Sequence, residues 1–198
     1  MSLEHDAEHA GHDHAGHEHV AYPDAVMNYR ADKDEYFRDA HDSPIPEAER
    51  ATFLGLPYFP VDEALRFDAL TLEPYAGSEP ASFQIPTSDG KLRDAIRAGL
   101  FRFEIDGTAH TLTGYTFANG HSDSIFVPFQ DATTGRESYG AGRYLDVYPE
   151  EDGTYAIDFN LAYHPSCVYD PKYSCPLTPA ENRLPVRIEA GERLAPEA

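Results

Sequence analysis

The sequence predicts a mostly β protein: a single antiparallel β-barrel or sandwich-like domain with an N-terminal helix and a disordered His-rich tail. Three observations carry this expectation. Short apolar–polar alternations recur from residue 66 to residue 189. Turn residues punctuate them, with 14 glycines and 16 prolines spread over 198 residues. Tryptophan is absent, so 13 tyrosines and 11 phenylalanines must supply the large core side chains. A chain of this length holds one domain with a real core.

Residues 1–20 stand apart. They carry six histidines, at positions 5, 9, 12, 14, 17 and 19, set among acids and small residues. Such a segment cannot bury a core and is expected to be disordered. His12 and His14 flank Asp13, and His17 and His19 flank Glu18. Imidazoles interleaved with carboxylates bind zinc, nickel or copper loosely; the plainer alternative is a passive, solvated segment. Residues 21–198 form the single domain.

Residues 28–41 read as an amphipathic helix with Tyr29, Tyr36, Phe37 and Ala40 on its apolar face. Ser43-Pro44 and Pro46 stop it, and 47–53 suit one short further helix. Period-two patterning begins after Phe59, and 66–72 alternates weakly. Residues 82–86 and 91–97 flank a turn at Thr87-Ser88-Asp89-Gly90, although 92–97 also suits a helical turn. The clearest hairpin joins 100–105 to 109–117. Phe101, Phe103 and Ile105 alternate with Arg102 and Glu104, and Asp106-Gly107 supplies the positive-φ turn. Strands are expected at 125–129, 143–148, 154–160 and 184–189.

Residues 126–193 concentrate the chemistry. Asp158 and Asn160 are two apart on a predicted strand and should share a face, which either lines a pocket or is solvated. Tyr139-Gly140-Ala141-Gly142-Arg143 sets glycines before a strand, where backbone can approach closely. Arg143 then clamps a carboxylate or phosphate with help from Tyr139, or it pairs internally with Asp131, Asp158 or Glu181. Glu181 and Asn182 precede the last strand, and Glu181 or Glu192 is a candidate base beside a plain turn-stabilising role. His164, Cys167 and Cys175 are soft ligands within twelve residues, and zinc would need a fourth from Asp170 or His121. A Cys167–Cys175 disulfide, two free thiols, or a cysteine nucleophile beside His164 are the alternatives.

The ordered motifs resemble the domain-of-unknown-function family numbered 1684, found in archaea and bacteria. The resemblance covers residues 28–193. It rests on Arg30, Lys33, Tyr36-Phe37, Ser43-Pro44, the run 53–61, Phe126-Val127-Pro128-Phe129 and Asp131 through Gly135. It continues through Tyr139 to Tyr144, Asp158-Phe159-Asn160, Ala162-Tyr163, Pro165, Cys167, Cys175-Pro176, 181–184 and 190–192. Asn is common in the family pattern where this chain has His164, and the histidine-rich segment lies outside it. The resemblance implies no activity.

Three functions compete. A small polar molecule bound or transformed in a pocket built from residues 131–182 comes first, with Tyr139, Arg143, Asp158, Asn160, Glu181 and Asn182 as its contacts. A metal-handling protein would use the tail and the His164/Cys167/Cys175 loop. A structural or interaction module would use the same polar groups only to lock loops.

Charge narrows the partners. Acids outnumber bases 35 to 15, giving a net charge of −20, and only Lys33, Lys91 and Lys172 are lysines. No basic patch exists to displace counterions from nucleic acid. No apolar run is long enough to span a membrane, and a soluble, cytoplasmic protein is expected, of oligomeric state the sequence leaves open. An acidic, lysine-poor surface suits a halophilic cytoplasm, because molar salt shortens the Debye length to about 3 Å and screens self-repulsion. The melting temperature should therefore rise from dilute buffer to molar potassium chloride. Equal or greater stability in dilute buffer would contradict the halophile reading.

Overall fold

The Asp106-Gly107 turn joins the two longest strands. The computed structural model describes residues 20–117 and 123–195. The chain runs through helices α1 (Tyr22–Asp39) and α2 (Glu47–Arg50), then strands β1 (Arg66–Leu70), β2 (Glu73–Pro74), β3 (Ser82–Pro86) and β4 (Leu92–Ile105). Strands β5 (Thr108–Phe117), β6 (Ile125–Phe129), β7 (Arg143–Val147) and β8 (Tyr155–Asp158) follow. Ile105 pairs with Thr108, and φ is 50° at Asp106 and 73° at Gly107. Two positive-φ residues in a two-residue loop match the twist of the flanking strands. Phe101 and Phe103 point into the core while Arg102 and Glu104 stay exposed, as the alternation requires.

Two antiparallel sheets result. The larger has six strands in the order β2-β4-β5-β6-β7, with β3 also paired to β4; the smaller pairs β1 with β8. The expectation of a closed barrel is corrected here. Strand β7 does not go on to pair with β8 along its length. Its Tyr144 exchanges backbone hydrogen bonds with Tyr163 instead, and the chain then meets Pro149, which has no N–H to extend a ladder. Both sheets contribute to one core, with Phe101, Phe103, Val127 and Phe129 meeting Ile157 and Phe159. A smaller aromatic layer, Tyr115, Phe126 and Tyr144, covers the other face of β6. Strand β6 is therefore buried on both faces, which explains its continuous apolar run.

Three predicted elements differ. Helix α1 begins at Tyr22, with Pro23 in its first turn, where a missing N–H costs nothing. Its buried face is Val26, Arg30 and Phe37, whereas Tyr29 and Tyr36 are exposed. Residues 154–160 split into β8 and a 3₁₀ turn, Phe159–Leu161. Residues 184–189 form no strand. The backbone there runs beside the end of β6 through Leu184 N to Gln130 O and Ala132 N to Val186 O, and Pro185 removes a donor. The segment 92–97 is strand, not a helical turn. The histidine-rich segment, including His12, His14, His17 and His19, lies outside the described residues, as does His121.

Candidate functional site

Arg143 opens β7 and is fully buried. Gly142 before it has φ 101°, and a Cβ there would meet Phe129 O at 2.4 Å, so only glycine permits this approach. The guanidinium donates to Ala190 O, to Ile188 O at 2.8 Å and to Glu192 O at 3.1 Å. It also reaches Asp131 Oδ1 at 3.3 Å, with both side chains wholly buried. Burial pushes the guanidinium below its ordinary pKa, and Asp131 acts against that shift. Asp131 in turn accepts from Ile188 N at 2.7 Å and from the Thr133 hydroxyl at 2.9 Å. Of the carboxylates the sequence left open as partners, Asp131 is the one in contact.

Glu192 carries this arrangement to α1. Its Oε1 lies 2.7 Å from Lys33 Nζ. Its Oε2 accepts from His164 N at 2.7 Å and Tyr169 OH at 2.9 Å. Arg30 donates to Phe59 O at 3.0 Å and to Asn160 O at 3.4 Å. The polar stripe of α1 is thus buried because each cation meets an anion or carbonyl dipoles. His164 Nε2 accepts from Tyr139 N at 3.2 Å, which leaves the proton on Nδ1, 3.8 Å from Glu192. Burial lowers the imidazole pKa to about 4; Glu192 works against this, and Arg143 and Lys33 work with it.

Asp158 and Asn160 do come together, although through a turn rather than strand alternation. Asp158 Oδ1 accepts from Asn160 N at 2.9 Å and caps the 3₁₀ turn. Tyr22 OH lies 2.9 and 2.8 Å from the two carboxylate oxygens. Burial, then Asp158, raises the Tyr22 pKa far above its ordinary value. Asn160 donates to Asp62 O at 2.7 Å and accepts from Asp62 N at 2.8 Å. Arg143 contacts Asp131 and the 188–192 backbone, a group separate from this one.

Asn182 is fully buried and bridges two strands. It exchanges hydrogen bonds with the backbone of Thr113 in β5 and donates to Pro128 O in β6. Glu181 accepts from Arg97 Nε at 2.8 Å and Tyr115 OH at 3.0 Å. Burial pushes its carboxyl up, but hydrogen bonds from its own backbone, Arg97 and Tyr115 outweigh that and lower the pKa. Cys167 and Cys175 are free thiols, with the Cys167 N–H donating to Cys175 Sγ, while the His164 ring is turned to Tyr139 and Glu192. Among the described residues, no group of three or more His, Cys, Asp or Glu side chains is placed to hold a metal ion.

An open cleft lies where the two sheets fail to join. Its walls are Tyr22, Val26 and Tyr29 of α1, Asp146 and Val147 of β7, and Ala156 and Asp158 of β8. Its volume is about 360 Å³, and an overlapping lobe of about 380 Å³ extends it to Tyr163. Tyr148 and Glu150 form one rim and Arg66 another. Arg66 is engaged, with its guanidinium 4.6 Å from the Tyr22 ring centroid and 2.8 Å from Asp68. Tyr29 and Tyr148 are 42% and 60% exposed, so their rings are available to a ligand. Of this set the sequence singled out only Asp158 as a site residue; the other members are scattered from 22 to 163 and join no motif.

Two unequal antiparallel sheets, clasped by one helix beside a tyrosine- and carboxylate-lined cleft, define the class of this protein. The chain belongs to the family described as "Protein of unknown function (DUF1684)", whose model matches residues 51–193. The match begins after α1, further along than residue 28. The chain is similar to an uncharacterized protein of Haloarcula marismortui solved by solution NMR. The two are 37% identical, with 88% of this chain and 95% of the other covered, at a TM-score of 0.64. No curated protein matches. Among the described residues, no helix is long and apolar enough to cross a membrane.

The buried histidine gives a pH dependence. With its pKa depressed from 6.5 to about 4, folded His164 binds fewer protons than the unfolded chain in that window. Its contribution is present above pH 6.5 and is lost as the pH falls towards 4. Urea unfolding of the wild type should therefore weaken more steeply than that of His164→Asn across this range. Parallel curves would contradict the assignment.

Proposed function

We propose that the chain binds a small polar molecule carrying a cationic group, held in the cleft between α1, β7 and β8. The observation that carries this reading is the pairing of two solvent-available tyrosine rings, Tyr29 and Tyr148, with the carboxylates Asp146, Asp158 and Glu150 around one cavity. An ammonium group is attracted both to an aromatic face and to a carboxylate, and the attraction grows as the site sheds water. Among the described residues lining the cleft, the cation is Arg66, which is already committed to Asp68 and Tyr22. A net charge of −20 favours approach of such a ligand. The site draws on the 131–182 region through Asp146, Glu150, Asp158 and Tyr163.

A second reading rests on a different observation. Arg143, Asn160 and Asn182 are buried with their hydrogen bonds directed to the chain's own backbone. For these residues a structural lock is the reading we favour, in a protein whose sheets need polar pins. Weak metal binding by the histidine-rich segment is a separate proposal: removing residues 1–20 should abolish it without changing the melting temperature in metal-free buffer.

Titration with putrescine and tetramethylammonium, followed by NMR shifts of residues around the cleft, tests the ligand class. Tyr148→Ala should weaken binding about tenfold, at the scale of one aromatic–cation contact, with the melting temperature unchanged. Neutral sugars binding as well as the amines, or no binding by any amine, would overturn the proposal and leave the lock reading.

A further inference from the structure

Cys167 and Cys175 belong neither to the cleft nor to the Glu192 contacts. Both are free thiols. The backbone N–H of Cys167 donates to Cys175 Sγ over 3.3 Å. Since N–Cα is about 1.5 Å, that sulfur stands within about 5 Å of the Cys167 Cα. Disulfides join residues whose Cα atoms lie about 4.4–6.8 Å apart, a range that a sulfur this close to its partner's backbone brings within reach.

The surroundings hold this approach from both sides. Cys167 sits in the 3₁₀ turn Ser166–Val168. Tyr169 beyond it is fastened to Glu192 and packs edge-on against Phe37 at 5.3 Å. Cys175 exchanges backbone and side-chain hydrogen bonds with Ser88, at 2.8 and 3.1 Å, and the following Pro176 O accepts from the Tyr144 phenol. The pair is therefore poised by the fold and not by chance encounter in a loose loop. The two cysteines also differ in access: Cys175 is 8% exposed, whereas Cys167 is half-buried.

We propose that Cys167 and Cys175 form a reversible dithiol–disulfide site that exchanges with small-molecule disulfides, Cys167 attacking and Cys175 resolving. The Cys167 thiolate attacks one sulfur of the small disulfide, breaking its S–S bond and releasing one small thiolate. Cys175 then loses its proton and attacks Cys167 Sγ, releasing the second small thiol and closing the protein disulfide. Two electrons pass from the protein dithiol to the small disulfide, and two protons end on the two small thiols. Burial pushes the Cys175 thiol up to about 11, which keeps it protonated until the mixed disulfide forms beside it. The closed bond ties the 167–175 loop, which joins the β3–β4 turn at Ser88 to the Glu192 contacts through Tyr169.

The test uses the full chain, reduced and then incubated with hydroxyethyl disulfide. Mass spectrometry should show loss of two hydrogens, two thiols consumed and a peptide linking Cys167 to Cys175. The melting temperature should rise by several degrees and fall back with dithiothreitol. Cys175→Ser should trap one small thiol on Cys167, whereas Cys167→Ser should react more than tenfold more slowly. A stable adduct on the wild type, dimers through intermolecular bonds, or thiols that react only after unfolding would each overturn the proposal.

Discussion

The structure depends on one buried cation. Residues 188–192 lie outside the named strands, and although Gly191 O accepts from Phe59 N, the carbonyls of Ile188, Ala190 and Glu192 are turned inward. Arg143 supplies the donors, binding Ile188 O, Ala190 O and Glu192 O from a single guanidinium. Its planar fork is suited to several oxygens at once in a way that lysine is not. Asp131 balances the charge and takes the Ile188 N–H, so the C-terminal segment is held through both its donors and its acceptors. A buried ion pair is weak evidence of net stability, since desolvation offsets the attraction. What it fixes here is the path of the chain.

That path sets the rest. Glu192 follows directly and reaches Lys33, His164 and Tyr169. Through these contacts α1, which precedes the family-matched region of 51–193, is clasped against the sheets. The cleft exists only because α1 lies there, since Tyr22, Val26 and Tyr29 form one of its walls. A ligand contacting those residues would bear on the same helix that Glu192 holds from its other turns. The cysteine pair touches the same contacts through Tyr169.

What the sequence disclosed follows from where partners come from. The hairpin at Asp106-Gly107 and the alternation of Phe101 and Phe103 were legible because one face is wet and the other is core. The run at β6 was legible as a strand, since both faces are covered. The 184–189 segment looked like a strand but takes part of its hydrogen bonding from a side chain, which no local pattern records. The face of α1 was misjudged because Arg30 and Lys33 are inward, with partners far along the chain. Asp158 and Asn160 are neighbours through a 3₁₀ turn and not through the strand alternation the sequence suggested. The partner of Arg143 stayed open because composition carries no distances. The cleft was invisible for a like reason: Tyr22, Tyr29 and Tyr148 share no spacing.

Unfolding free energies of Arg143→Met, Asp131→Asn and the double variant test the central claim most directly. If the guanidinium holds the C-terminal segment, Arg143→Met alone should cost about 3–5 kcal/mol, as expected when one partner of a buried pair is removed. The double variant should then cost less than the sum of the two singles. A loss below about 1 kcal/mol for Arg143→Met, with strictly additive variants, would show that the fold does not rest on this contact.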